Sequence, residues 1–131
     1  MKLLTRGEIL SADDLRSERV KVPEWGGEII VKALNGEQRD QWEASIVTRQ
    51  GDDVIIESKN LRAKLVAICV VDENDKPLFT EADVEALGKK SAAALDRVVD
   101  VAKSISKIAD GDLDDLGKDL ASTGSDASAS L

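Results

Sequence analysis

The chain has 131 residues, a length at which a domain buries roughly two thirds of the surface its unfolded chain exposes, so a real core is attainable. It is 42% hydrophobic and 34% charged, which fits neither a disordered polymer nor a membrane protein. Eighteen Lys and Arg against 26 Asp and Glu leave eight net negative charges, which oppose any sequence-independent hold on nucleic acid. His is absent and Cys occurs once, excluding Ser-His-Asp and Cys-His chemistry, His-ligated metals and internal disulfides.

The opening MKLLTRGEIL carries charges at Lys2, Arg6 and Glu8 and no apolar run of signal-peptide length. The longest apolar run, residues 65–71, is too short to cross a bilayer, so a soluble cytosolic protein with no membrane partner is expected. Residues 19–22 and 28–34 are rich in Val and Ile and flank Pro23-Glu24-Trp25-Gly26-Gly27, which predicts an antiparallel hairpin. Trp25, at its tip, either folds back onto the core or projects as an anchor for a partner. Asn35 followed by Gln38 has the form of a capping box and predicts a helix start, with Trp42, Ser45, Ile46 and Arg49 on one face and Gly51 ending the pattern. Residues 54–56 are read as a short strand or an apolar linker.

Residues 61–71 suit a buried strand or a buried helix, and the potential cap at Asn60 with Leu61, Leu65 and Ile68 on one face favours a helix. Cys69 inside it reads as a small buried hydrophobe. Residues 72–77 form a polar turn. Thr80 predicts the N-cap of a short helix through Leu87, with Phe79 stapled onto Val84. Ser91 precedes the strongest helical pattern, in which Leu95, Val98, Val99, Ala102, Ile105 and Ala109 recur at spacings of three and four. The fold class expected is α+β: a mainly helical single domain over residues 1–109 with an N-terminal antiparallel hairpin.

Residues 110–131 hold one Lys and six Asp, a net of five negative charges in about a sixth of the length. Residues 121–131 lack the apolar groups needed to offset ordering entropy, so a disordered acidic tail is expected. Within it, Leu113, Leu116 and Leu120 are spaced three and four apart and predict a short helix at 112–120. Such a stripe must dock, either on this protein's own body or on a partner. Trp25, Leu113, Leu116 and Leu120 are therefore the candidate partner-binding residues.

No catalytic or metal site emerges. Asp110-Gly111-Asp112-Leu113-Asp114 alternates carboxylates like a calcium loop, but Asp115 and Ala121 stand where such a loop needs Gly and Glu. Asp72-Glu73-Asn74-Asp75 meets Lys76 at a ligand position, no carboxylate pair stands out, and no phosphate-binding Gly pattern occurs. Neither a cofactor nor an enzymatic activity is expected.

Several stretches together resemble the tail assembly chaperones of long-tailed bacteriophages. They are Val20-Lys21-Val22-Pro23-Glu24-Trp25-Gly26-Gly27-Glu28, Leu34-Asn35-Gly36-Glu37, Asn60-Leu61-Arg62-Ala63-Lys64-Leu65-Val66-Ala67, and Leu78-Phe79-Thr80-Glu81-Ala82-Asp83-Val84 into Leu87-Gly88-Lys89-Lys90-Ser91. The resemblance implies a non-catalytic protein of the bacterial host cytoplasm that covers the apolar, largely helical tape measure protein during tail assembly and is absent from the finished virion. It also implies a longer product of a minus-one frameshift that recruits tail tube protein, this chain being the short form, and it allows self-association. A structural tail completion or head-tail connector protein is the rival reading. Leu116-Gly117-Lys118 is codable as CTG GGA AAG, which contains the slippery run G GGA AAG. Leu87-Gly88-Lys89 permits the same codons but would cut through the core. Sequencing the gene is expected to show the slippery run at Gly117-Lys118, and codons there without one would remove the frameshift site.

Overall fold

The computed structural model describes residues 1–109. Residues 110–131, with the expected tail and the helix at 112–120, lie outside the described residues. The element order is α1 (Arg6–Ser11), β1 (Ser17–Val22), β2 (Gly27–Lys32), α2 (Gly36–Ser45), β3 (Val47–Gln50), β4 (Asp53–Ile56), α3 (Leu61–Cys69), β5 (Val70–Val71), α4 (Val84–Leu87) and α5 (Ala92–Ser106). Helices hold more of the described residues than strands do, and the fold is α+β as the sequence implies.

The hairpin forms because alternating Val side chains give β1 one apolar face: Val20 and Val22 are buried while Arg19 and Lys21 face water. Pro23, Glu24 and Trp25 make a 3-10 turn that ends on Gly26 at φ 79°, a left-handed backbone that glycine adopts without steric cost. Val22 then faces Gly27 across the ladder and Ser17 faces Lys32. On the other side β2 pairs antiparallel with β5, so the three-stranded sheet runs β1-β2-β5.

Helix α2 begins as expected: Asn35 Oδ1 accepts from the Gln38 N–H at 2.7 Å, and Gln38 Oε1 accepts from the Asn35 N–H at 3.1 Å. Its end corrects the sequence reading. The helix stops at Ser45, and Arg49 belongs to β3, which pairs with β4 through Arg49–Val54 and Val47–Ile56. The β-branched run Ile46-Val47-Thr48 favours a pleated strand over another helical turn, and Gly51 at φ 63° supplies the reversal. Residues 54–56 are thus strand, in a separate two-stranded ribbon.

The ambiguous run at 61–71 serves both purposes. It is helix to Cys69, then extends at Val70 and Val71 to complete the sheet. Asn60 does not cap α3 through its side chain: it sits at φ 58° with no side-chain cap bond, and its own carbonyl accepts from the Lys64 N–H at 2.9 Å. Thr80 makes a capping box with Asp83, followed by a 3-10 turn over Glu81–Asp83 before α4. Helix α1, which the sequence reading left unassigned, is capped reciprocally by Thr5 and Glu8, yet none of its residues is buried.

Helix α5 organises the core. Ala94, Leu95, Val98, Val99, Ala102 and Ile105 are buried, and the helix packs on α3, β1 and β2. Its sequence-read stripe is off at one position: the helix ends at Ser106, Lys107 turns left-handed at φ 58°, and Ile108 takes the buried place while Ala109 is exposed. The Ile108 N–H returns to the Lys103 carbonyl at 2.9 Å, the closing bond of a Schellman-type end. Leu95 is 3% exposed, so Leu95→Ala is expected to lower unfolding free energy by about 2–5 kcal/mol in urea titrations, with the fold retained.

Candidate functional site

Three segments of different origin meet around one open groove of about 510 Å³, within the range of about 300–1,000 Å³ that binding pockets span. Helix α2 contributes the face Gln38, Gln41 and Ser45, at helical spacing and flanking the buried Trp42. Helix α3 contributes Lys64, Ala67 and Ile68. The loop after β5 and the start of the next helix add Pro77, Phe79, Thr80, Glu81 and Val84. The apolar floor is therefore Ala67, Ile68, Pro77, Phe79 and Val84, under a polar rim. Phe79 and Val84, expected to staple together, are both half-buried against the core and face this groove.

Several polar groups of the rim are engaged within the fold. The Ser45 hydroxyl donates to the Trp42 carbonyl at 2.7 Å, and Lys64 Nζ donates to the Ser45 carbonyl at 2.8 Å. Thr80 is occupied by its capping box with Asp83. What the groove offers a visitor is apolar surface with a polar margin, the arrangement that receives one face of an amphipathic helix. Leu78, beside it, is 51% exposed.

Trp25 lies elsewhere. It is half-buried and packs against the core at the hairpin tip. Next to it Glu24 takes a bidentate hold on Arg97 of α5, with Nη1 and Nη2 donating to the two carboxylate oxygens at 2.6 and 2.9 Å. Leu113, Leu116 and Leu120 lie outside the described residues. The structure therefore does not bring the four sequence-derived candidates together in one described site. The groove residues escaped sequence reading because they come from three separated segments. The available signal was Gln38, Gln41 and Ser45, a helical face that is neither apolar nor charged.

A second apolar surface is the amino-terminal arm, where Leu3 is 96% exposed and Leu4, Ile9 and Leu10 are also open to water. Cys69 is buried, and desolvation pushes its thiol up to about 12, which leaves it protonated and inert at neutral pH. Asp72 uses one carboxylate oxygen to hold its own turn, accepting from the Asn74 and Lys76 N–H groups at 2.8 and 3.0 Å. Among the described residues no cluster of three or more acidic, Cys or His side chains could hold a metal ion, and no helix is long and apolar enough to cross a membrane.

The sequence model of the phage tail assembly chaperones matches residues 9–119, and the chain belongs to that family. The structure titled as the tail assembly chaperone of bacteriophage HK97 shares the fold, with a TM-score of 0.52 at 18% identity over 76% of this chain and 94% of that one. No curated protein matches the sequence. The family match takes in every residue of the groove and the first part of the acidic segment, with Leu113 and Leu116, but begins after most of the exposed arm.

The hydrogen bonds from Arg97 hold the Glu24 carboxyl below its ordinary value. A carboxyl depressed by folding contributes stability above its unfolded pKa, and that contribution is lost as pH falls through the lower folded value. Arg97→Gln is therefore expected to return the Glu24 titration, followed by carboxyl-carbon NMR, upward toward the usual carboxylate range. An unmoved Glu24 titration would mean the pair is not formed in solution.

Proposed function

We propose that this protein is a non-catalytic chaperone that covers apolar helical stretches of the phage tape measure protein in the host cytoplasm until the tail tube assembles around it. The observation that carries the reading is the groove, with an apolar floor and a rim whose Ser45, Lys64 and Thr80 are already engaged within the fold. A site built for chemistry would hold reactive groups ready for a substrate, whereas this one holds shape and apolar area. Burying a client's Leu or Ile side chain there removes about 1.5–3 kcal/mol of exposed apolar cost per residue. Such contacts need not be strong singly, because many copies along one long client act together.

The net negative charge fits the same task. Eight excess negative charges on each copy keep a coated client in solution by mutual repulsion. The longer frameshifted product, recruiting tail tube protein, belongs to this reading. So does division of the chain into a folded unit over 1–109 and an acidic tail over 110–131, with Trp25 and the Leu113, Leu116 and Leu120 stripe as further partner contacts. Self-association would set the copies side by side along the client.

Ile68→Asp places a charge on the groove floor at a half-buried position. It is expected to weaken capture of co-expressed tape measure protein at least tenfold while leaving the thermal unfolding midpoint within a few degrees. Undiminished capture by this variant would take the groove out of the function. Mass spectrometry of purified virions separates the rival reading: the chaperone is expected to be absent, and a connector would be present.

A further inference from the structure

The described chain ends close to the start of α2. Ser106, the last residue of α5, accepts the Leu34 N–H at 3.0 Å, immediately before the cap of α2. The chain then turns left-handed at Lys107 and buries Ile108 before Ala109. Residues 110–131 follow, starting four positions after the Ser106 that bonds Leu34 next to the α2 cap. The α2 wall runs from Gln38 to Ser45, seven residues or about 10.5 Å of helix. Leu113 to Leu120 also spans seven residues, so as a helix the stripe has the same length. Residues 110–112 give a lead of up to about 10 Å. Laid parallel to α2, the segment brings Asp119, one of its four charged side chains, to the end where Lys64 reaches the Ser45 carbonyl, so a cation stands near the groove's far mouth.

We propose that residues 113–120 of this same chain occupy the groove through Leu113, Leu116 and Leu120 when no client is present, and vacate it when an apolar helix competes. The docking rests on the geometry above. Its regulatory consequence rests on the client reading. A cover that is displaced keeps the apolar floor from gathering unrelated partners and lowers the apparent affinity for clients by the fraction of time the groove is open.

The test compares the full-length chain with the charge-neutral triple variant Leu113→Ser, Leu116→Ser, Leu120→Ser. Amide NMR signals of Gln38, Gln41, Ile68 and Val84 are expected to move in the variant, with those of α5 unchanged. A spin label at Ser122→Cys in the otherwise native chain is expected to broaden Ser45 and Lys64 without dependence on protein concentration. The buried Cys69, with its thiol at about 12, stays unlabelled at neutral pH. Unmoved groove signals would overturn the proposal. So would broadening seen only between labelled and unlabelled copies, which would make a second copy the occupant. A synthetic uncharged helical peptide with Leu at positions i, i+3 and i+7 then separates the two readings. About tenfold tighter binding to the variant is the gain expected of a groove covered nine-tenths of the time. Equal binding to both chains with unmoved groove signals overturns the cover and leaves the client reading standing. Moved signals without peptide binding leave the cover standing and sink the client reading.

Discussion

The apolar stripe of α5 is the contact on which the remainder of the structure depends. It lies across the first hairpin and along α3, and through those two partners it fixes everything that frames the groove. Val22, Val31, Val66, Val70 and Val98 are all at or below 1% exposure, so the helix and sheet meet as a closed apolar layer. Interiors of this kind transmit displacement because they contain few voids to absorb it. At the edges of the layer, exposed charges tie the same pieces together: Glu24 of the hairpin turn to Arg97 of α5, and Arg62 of α3 to Asp96. Such exposed pairs add little stability, and their geometry orients elements that the core already holds.

With α3 pinned beneath α5, one face of α3 remains for α2 and the loop that follows β5. Helix α2 is anchored through a single large side chain, Trp42, which is 2% exposed, and this leaves its Gln38, Gln41 and Ser45 face standing over Ala67 and Ile68. The anchoring is not free of cost. Among the described residues Trp42 Nε1 is buried without a hydrogen-bond partner, an omission that typically costs about 1–3 kcal/mol. A helix held by one ring and bordered by a loop makes a groove that tolerates small adjustments of its walls. That tolerance suits a protein meeting many apolar segments of one client better than it suits catalysis on one substrate.

Most of the architecture was legible in the sequence because local signals agreed with tertiary ones. The capping box at Asn35, the turn at Pro23 to Gly27 and the long stripe of α5 each formed where the residues require. The two misread helix ends share one cause. At Ile46 to Gln50 and at Val70 to Val71, β-branched residues sit directly after a helix, and a helical period continues through them without a break in hydrophobicity. Only the partner strand decides such cases, and the partners, Asp53–Ile56 and Gly27–Lys32, are not visible to a local window. The groove was illegible for a related reason: no one of its three contributing segments carries a functional pattern, and the site exists only where they converge. Trp25 could be read as core or anchor from sequence, and its half-buried place follows a Glu24 that is held by Arg97, on a helix more than seventy residues away.

The central claim is that the groove between α2, α3 and residues 77–84 is the surface that meets the client. Hydrogen–deuterium exchange on the chaperone co-purified with its tape measure protein tests this directly. The account predicts slowed exchange in α2, in α3 and across residues 77–84, relative to the chaperone alone. Protection confined to the outer edge of β1 or to the amino-terminal arm, with the groove exchanging as it does in the free protein, would contradict it.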